Sequence, residues 1–392
     1  MRLRMRYDIE AGEGKRVGVF TDLHIGVESD SKARLNEAKK CVRWVAETFR
    51  AHGVDWVVFC GDLFNSRYSI NVNSLNVGIG LVRELAAAFE KVILIEGNHD
   101  TYYKNSNSVN SISFLGGLAD SGGVIVVDEQ PKFAKAGGRT YGFYPWGFTP
   151  DMVGGIEGFT APDYGFGHFE LNGIELIGQV SSGCRYGLQD MFALGGELFS
   201  GHYHKNGTYR DARTGRTLHM VGSCLQLDWG DCAQEKKVGI LDGSGYIEVP
   251  NTVNARFEKV FFSGIREGRY TGEDLERLCR GNFVKLVIDA PYQFEEILKC
   301  NGAIRGLSPL SLEPDYLISS AGSPAGQPGA EADSRHAKTN MDYLLEYLDG
   351  VFAELKEADP SYDLGRLKEL ARAYYEKAMA PKGEREEQEL EG

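Results

Sequence analysis

Carboxylates, a carboxamide and imidazoles are gathered into five short stretches: Asp22-x-His24, Gly61-Asp62, Gly97-Asn98-His99-Asp100, Gly167-His168-Phe169 and Gly201-His202-Tyr203-His204. Five of the eight histidines fall in them, a concentration that core or surface filling does not explain. Oxygen and imidazole donors without thiolate suit Mn, Fe or Zn at five- or six-coordinate sites. A carboxylate in such a set can bridge two divalent ions about 3.5–4 Å apart, a pair that acidifies water and stabilises in-line displacement at phosphorus. That chemistry is hydrolysis of a phosphate ester. His99, next to the candidate ligand Asn98, is the natural proton donor to the leaving oxygen, because imidazole titrates near neutral pH. Singly, Asp22-x-His24 and Gly61-Asp62 are ordinary turn strings. His202 and His204, at i and i+2 of an extended segment, put both rings on one side, and the ordered set of all five stretches is far more specific.

Each stretch needs an element to hold it. Residues 15 to 21, 54 to 59 and 92 to 95 are apolar runs suited to strands covered on both faces. Between them, 31 to 52 places Leu35, Ala38, Val42, Val45, Ala46 and Phe49 at helical spacing before a stop at Gly53. Residues 73 to 91 do the same with Leu75, Ile79, Val82, Leu85 and Phe89. The alternation predicts an α/β fold with a parallel sheet whose carboxyl edge presents ligands. From about 109 to 250, short β-branched or aromatic runs at 123–128, 140–144, 174–180, 217–221 and 238–241 predict a second sheet packed on the first. His168 then falls just before the 174–180 strand, His202 and His204 fall in the loop after 195–200, and Gly-rich 154–167 reads as a mobile loop near the site.

Residues 251–318 read as a small α/β module: strands at 257–262 and 284–288, helices at 271–280 and 293–301, and a third strand at 304–312. Ser319 to Asp333 is rich in Gly, Ala, Ser and Pro, so 319–335 is expected to be a flexible linker. Beyond it, 336–380 predicts two amphipathic helices, one striped with Tyr343, Leu344, Tyr347, Leu348, Val351, Phe352 and Leu355, the other with Leu364, Leu367, Leu370, Ala371, Tyr374 and Tyr375. These stripes either fold back on the body or dock on a partner protein. The acidic tail 381–392 is expected to be disordered.

Composition limits the partners. A chain of 392 residues with 42% hydrophobic and 25% charged residues is an ordinary globular one, and no run of about 18–20 apolar residues could span a bilayer. With no apolar segment after MRLRMRYDIE, a cytoplasmic location is the expectation. Seven scattered Cys without CxxC spacing argue against disulfides and Cys-ligated zinc. A net charge of -13 lacks the basic footprint of a nucleic-acid binder, a deficit that site cations or a basic partner can offset.

The ordered set D-x-H, G-D, G-N-H-D, H and G-H-x-H, met by residues 22 to 204, resembles the calcineurin-like metallophosphoesterase family, a two-sheet sandwich flanked by helices. Gly61-Asp62-Leu63-Phe64-Asn65-Ser66-Arg67, and Gly222-Ser223 followed by Leu225 to Gly230 and Lys237 to Asp242, are similar to SbcD-type double-strand-break repair nucleases and phage recombination endonuclease subunits. The resemblance implies a metallophosphoesterase domain over 1–250 with two divalent ions, Mn first among them. One ion would be held by Asp22, His24, Asp62 and His204, the other by Asp62, Asn98, His168 and His202, with Asp62 bridging and His99 catalytic. It implies a DNA-capping role for 251–318, docking of the terminal helices on an SbcC-type SMC-like ATPase, DNA as substrate, homodimer formation as an option, and no membrane partner.

One departure is Asn65, where many members carry a second active-site His; Asn cannot shuttle a proton, which bears on exonuclease-like action. His52, His219 and His336 match no motif position and read as structural or surface residues. Two other functions fit the residues: a stand-alone phosphodiesterase or phosphatase, which needs neither module nor tail, and a non-catalytic metal-containing scaffold for DNA ends.

Overall fold

The computed structural model describes residues 3–118, 123–173, 175–176, 179–180, 184–317, 345, 348 and 363–379. Its contacts divide the chain into one unit over Met1–Ile318 and another over Ser319–Gly392.

In the first unit, Val17–Phe20, Trp56–Phe59 and Lys91–Ile95 run side by side and parallel, with Val17 opposite Trp56 and Trp56 opposite Lys91. Val124–Val127 continues the sheet in parallel, and Lys237–Asp242 with Gly245–Pro250 closes it antiparallel to make six strands. Strand alternation sorts the side chains between two cores. Val17, Val19, Trp56, Val58, Ile93 and Ile95 face a second sheet. Phe20, Val57, Phe59, Val92 and Leu94 instead meet the helices Lys32–Ala51 and Val72–Ala88. Burial on both faces is why these strands read as continuous apolar runs.

The second sheet has seven strands, of which Arg139–Phe143, Tyr164–Gly167, Glu197–Ser200 and Thr217–Met220 are adjacent and parallel. Phe143, Phe166 and Phe199 stack across it with centroids 5.5 and 5.0 Å apart and fill the space between the sheets. Its outer face carries Phe133, Tyr144, Leu198, Leu218 and Met220. The fold is thus an α/β two-sheet sandwich flanked by helices.

Three local expectations are corrected. Segment 154–167 is not simply a loop, because Tyr164–Gly167 is a central strand of the second sheet, and His168 follows that strand. The expected strand at 174–180 is instead a pairing of Glu175–Leu176 with Gln179–Val180. In the small module, Ile304 lies on the helix Phe294–Gly306, where it and Ile297 share the buried face, and the third strand is Ser311–Tyr316. That strand and Phe257–Phe261 flank Phe283–Ile288 in parallel. Arg34 ties this sheet to the sandwich: its guanidinium lies 5.1 Å from the Phe257 ring centroid and 4.9 Å from that of Phe283, while Nη2 donates to the carbonyls of Gln226 and Leu227 at 2.9 Å.

In the second unit, Leu364–Met379 is helical, and the Asp363 carboxylate accepts from the Arg366 N–H at its start. The linker, most of the first expected tail helix, the acidic tail and His336 lie outside the described residues. Among the described residues, no helix is long and apolar enough to cross a membrane. All seven cysteines are free, with Cys41 and Cys60 buried.

Helix and sheet meet tightly at Gly18, where an added Cβ would lie 2.5 Å from the Phe49 ring. Phe49→Ala should therefore cost about 3–5 kcal/mol and Gly18→Ala about 1–3 kcal/mol in denaturant titrations. The Gly18→Ala cost should largely vanish in a Phe49→Leu background, and an unchanged cost there would mean that the ring is not the obstruction.

Candidate metal centre

Five strand ends open on one place. Asp22 and His24 follow Val17–Phe20, Asp62 follows Trp56–Phe59, and Asn98 and His99 follow Lys91–Ile95. From the other sheet, His168 follows Tyr164–Gly167, and His202 and His204 follow Glu197–Ser200. Every site residue expected from the sequence is brought to this cluster.

Asp22, His24 and His204 offer ligand atoms within 4.8 Å of one another, as do Asp22, Asp62 and His168, and likewise His24, Asp62 and His99. Asn98 Oδ1 lies 3.0 Å from His168 Nε2 and 2.8 Å from His202 Nδ1. His24 Nε2 and His204 Nε2 face each other at 3.2 Å. Asp62 Oδ2 is 3.3 Å from His168 Nε2 and 3.5 Å from His24 Nε2, so one carboxylate oxygen reaches both halves of the cluster.

The backbone is strained to achieve this. Asp22, His24, Asp62 and His202 all have positive φ, at 53°, 43°, 60° and 82°. Such a conformation costs a non-glycine residue roughly 1–3 kcal/mol and persists only where the surroundings over-determine it. Here Asp22 N–H donates to Gly61 O at 3.0 Å and His24 N–H to Asp62 O at 3.1 Å. Asp100 supplies the central brace, accepting from the N–H groups of Asp62 (2.9 Å), Leu63 (3.2 Å), Phe64 (3.3 Å) and Gly97 (3.1 Å). The loops are drawn so close that a Cβ on Gly97 would run into the Asp62 carboxylate.

Outer contacts set the rings. His168 Nδ1 lies 2.7 Å from Cys60 O, the geometry of an N–H donor, which turns Nε2 toward the cluster, where its lone pair in the neutral ring could meet a cation. Tyr203 is buried between the two ligand-type histidines, and its hydroxyl exchanges hydrogen bonds of 3.0 Å with the Leu171 main chain. The segment that carries His202 and His204 is bent, with His202 in left-handed backbone, and is not the extended run that the i, i+2 spacing suggested. Lys236, buried and paired with Asp231 at 2.8 Å, donates to His204 O at 2.8 Å. The Trp146 ring centroid is 5.7 Å from that of His168 and 5.2 Å from that of His202. His99 Nδ1 meets Asn65 O at 2.6 Å, so position 65 orients His99 through its carbonyl.

Burial alone would raise the pKa of Asp22 and Asp62, yet the neighbouring imidazoles hold both carboxyls below their usual range. Burial opposes protonation of His168 too, but Asp62 lifts it to about 9, whereas burial and the charge of His168 push His202 down to about 4. Asp22 Oδ1 is buried without a hydrogen-bond partner. Anionic oxygens, an orphaned acceptor and facing imidazole nitrogens fit divalent cations, which would satisfy all of them at once.

Asp100, Trp146 and Lys236 were not singled out from the sequence. Asp100 stood inside the quoted Gly97-Asn98-His99-Asp100 string and could have been found there. Trp146 and Lys236 carry no local signal. His219, paired with Glu197 at 2.9 Å and stacked on Phe199, and His52, bonded to Thr48 O at 2.8 Å, lie outside the cluster.

Residues 15–165 match the family model of calcineurin-like phosphoesterases. Exonuclease subunit 1 of Enterobacteria phage T4 is 27% identical over 213 residues, which cover 54% of this chain and 59% of the phage protein. Among solved structures, a dimetal phosphatase from Danio rerio aligns at 11% identity over 61% of this chain and 99% of its own, with a TM-score of 0.38. The E. coli phosphoesterase Yfce aligns at 16% identity over 58% and 88%, with a TM-score of 0.31.

Because Asp100 braces both loops, Asp100→Asn should weaken Mn binding by about 10- to 100-fold in calorimetric titration. Unaltered affinity would show that the loops are held without it.

Proposed function

We propose that this chain, which carries a calcineurin-like metallophosphoesterase domain, is the Mn-dependent DNA nuclease subunit of an SbcCD-type recombination and repair complex. The observation that carries the phosphodiesterase reading is the convergence of seven ligand-type side chains, Asp62 among them, on one place. Asp22, His24, Asp62 and His204 would hold one cation, and Asp62, Asn98, His168 and His202 the other. The first group is supported by the clustering of Asp22, His24 and His204, the second by the placement of Asn98 Oδ1 between His168 and His202. Two cations held there supply an acidified water and charge stabilisation for in-line displacement at phosphorus. His99 would hold the proton for the leaving oxygen: Nδ1–H donates to Asn65 O, so Nε2 carries a proton to give in the doubly protonated ring.

DNA is favoured as substrate by the likeness to a phage protein named as an exonuclease subunit. The α/β module over 251–318 supports the same choice, since it packs on the sandwich through Arg34 and would cap a long substrate. The word subunit in that name, and the amphipathic helix Leu364–Met379 with Leu370 47% exposed, support docking on an SMC-like ATPase.

With Mn present, the purified protein should cleave duplex DNA and a generic aryl phosphodiester. Asp62→Ala should lose bound metal and turnover together, and two retained ions at normal rate would refute the bridging role. His99→Ala should keep its metals and lose about 100- to 10,000-fold in rate. Metal loss in that variant would make His99 a ligand.

Removing residues 336–379 should abolish copurification with the ATPase and leave small-diester hydrolysis intact, because Met1–Ile318 is a compact unit separate from Ser319–Gly392. Unfolding of the phosphoesterase domain in the truncated protein would assign those helices to its own core.

A further inference from the structure

Tyr68, Tyr102 and Tyr103 are 71%, 42% and 48% exposed. Their rings form a continuous cluster, Tyr68 to Tyr102 at 5.9 Å and 84°, Tyr102 to Tyr103 at 4.8 Å and 86°. Tyr68 lies three residues after Asn65, whose carbonyl holds His99, and Tyr102 and Tyr103 belong to the strand Thr101–Tyr103 directly after His99 and Asp100. That strand is anchored. Thr101 Oγ1 donates to Glu96 Oε1 at 2.8 Å, and the strand pairs antiparallel with Ser106–Asn110. The aromatic cluster is therefore built onto the two loops that carry Asp62 and Asn98.

Arg67 and Lys104 bracket it in sequence, and among the described residues neither pairs with a carboxylate. On a chain of net charge -13, two cations without carboxylate partners, Arg67 half-buried and Lys104 exposed, stand next in sequence to three exposed rings. Aromatic faces accept any base, and flanking cations neutralise the phosphates between bases. A protein partner could also use tyrosines, but the unmatched positive charge favours a polyanion.

We propose that Tyr68, Tyr102 and Tyr103, with Arg67 and Lys104, form a stacking platform that holds unpaired bases of a single-stranded DNA segment beside the metal centre. The choice of DNA rests on the nuclease reading. The rings meet edge to face, so each keeps a separate face for a base. A strand held there would leave its next phosphodiester close to the loops bearing Asp62 and Asn98.

Fluorescence anisotropy with labelled oligo(dT) and an abasic oligomer of equal length tests this, with Ca in place of Mn to prevent cutting. Wild-type protein should bind the abasic strand at least about 10-fold more weakly than oligo(dT). Tyr68→Ala and Tyr102→Ala should each weaken oligo(dT) binding about 5- to 100-fold and leave abasic binding unchanged, and Tyr102→Phe should restore it. Lys104→Gln should weaken both strands alike and lower the salt slope by about 0.7. Equal affinity for the two strands in the wild type, or alanine variants that bind oligo(dT) normally, would overturn the platform, including the case in which a protein covers these rings. Cleavage of duplex DNA by the Mn-loaded wild type is scored separately. Base-dependent binding without cleavage removes the nuclease reading alone, and cleavage without base-dependent binding removes the platform alone.

Discussion

The Asp62 carboxylate is the group on which the rest of the structure depends. It is buried at the meeting of the two sheets, with one oxygen accepting the His99 N–H at 2.8 Å and the other facing His168 and His24. A charge so far from water is tolerated only when opposite charge or donors surround it, so the five loops must converge rather than splay. Convergence in turn requires left-handed backbone at Asp22, His24, Asp62 and His202, and the Asp100 brace that holds two of the loops. The sandwich provides the fixed edges. Its parallel strands, buried on both faces, end in register at the same level and offer their carboxyl termini to one point.

The legibility of the sequence follows from the same physics. The candidate ligands Asp22, His24, Asp62 and Asn98 were readable because they follow runs whose side chains are buried on both faces, Val17–Phe20, Trp56–Phe59 and Lys91–Ile95, and the helices between them have clean periodic stripes. Tyr164–Gly167 was not readable as a strand because alternate positions are glycine. Those glycines reflect packing, since a Cβ on Gly165 would lie 2.6 Å from the Leu198 side chain, and one on Gly167 would collide with the Phe169 ring. A β-propensity pattern cannot register a strand whose outer face is filled by its neighbours' side chains. Lys236 was invisible for a different reason: its link to His204 joins positions 32 residues apart through one main-chain carbonyl.

Arg34 shows how the small module is joined to the sandwich. Its Nε lies 3.5 Å from Glu28, a few residues beyond the Asp22-x-His24 loop, and its guanidinium reaches the Phe257 and Phe283 rings. Burial lowers the pKa of this group, with Glu28 and Glu37 opposing that shift. A single side chain thus connects the segment after two candidate ligands to the three-stranded sheet of the module.

The central claim is that one carboxylate joins two cations. The most direct measurement is electron paramagnetic resonance of the protein titrated with Mn(II) until binding saturates. A bridging Asp62 requires an exchange-coupled dinuclear spectrum that gives way to uncoupled Mn in Asp62→Asn. Saturated wild-type protein showing only the spectrum of isolated ions, the same as in the variant, would contradict it.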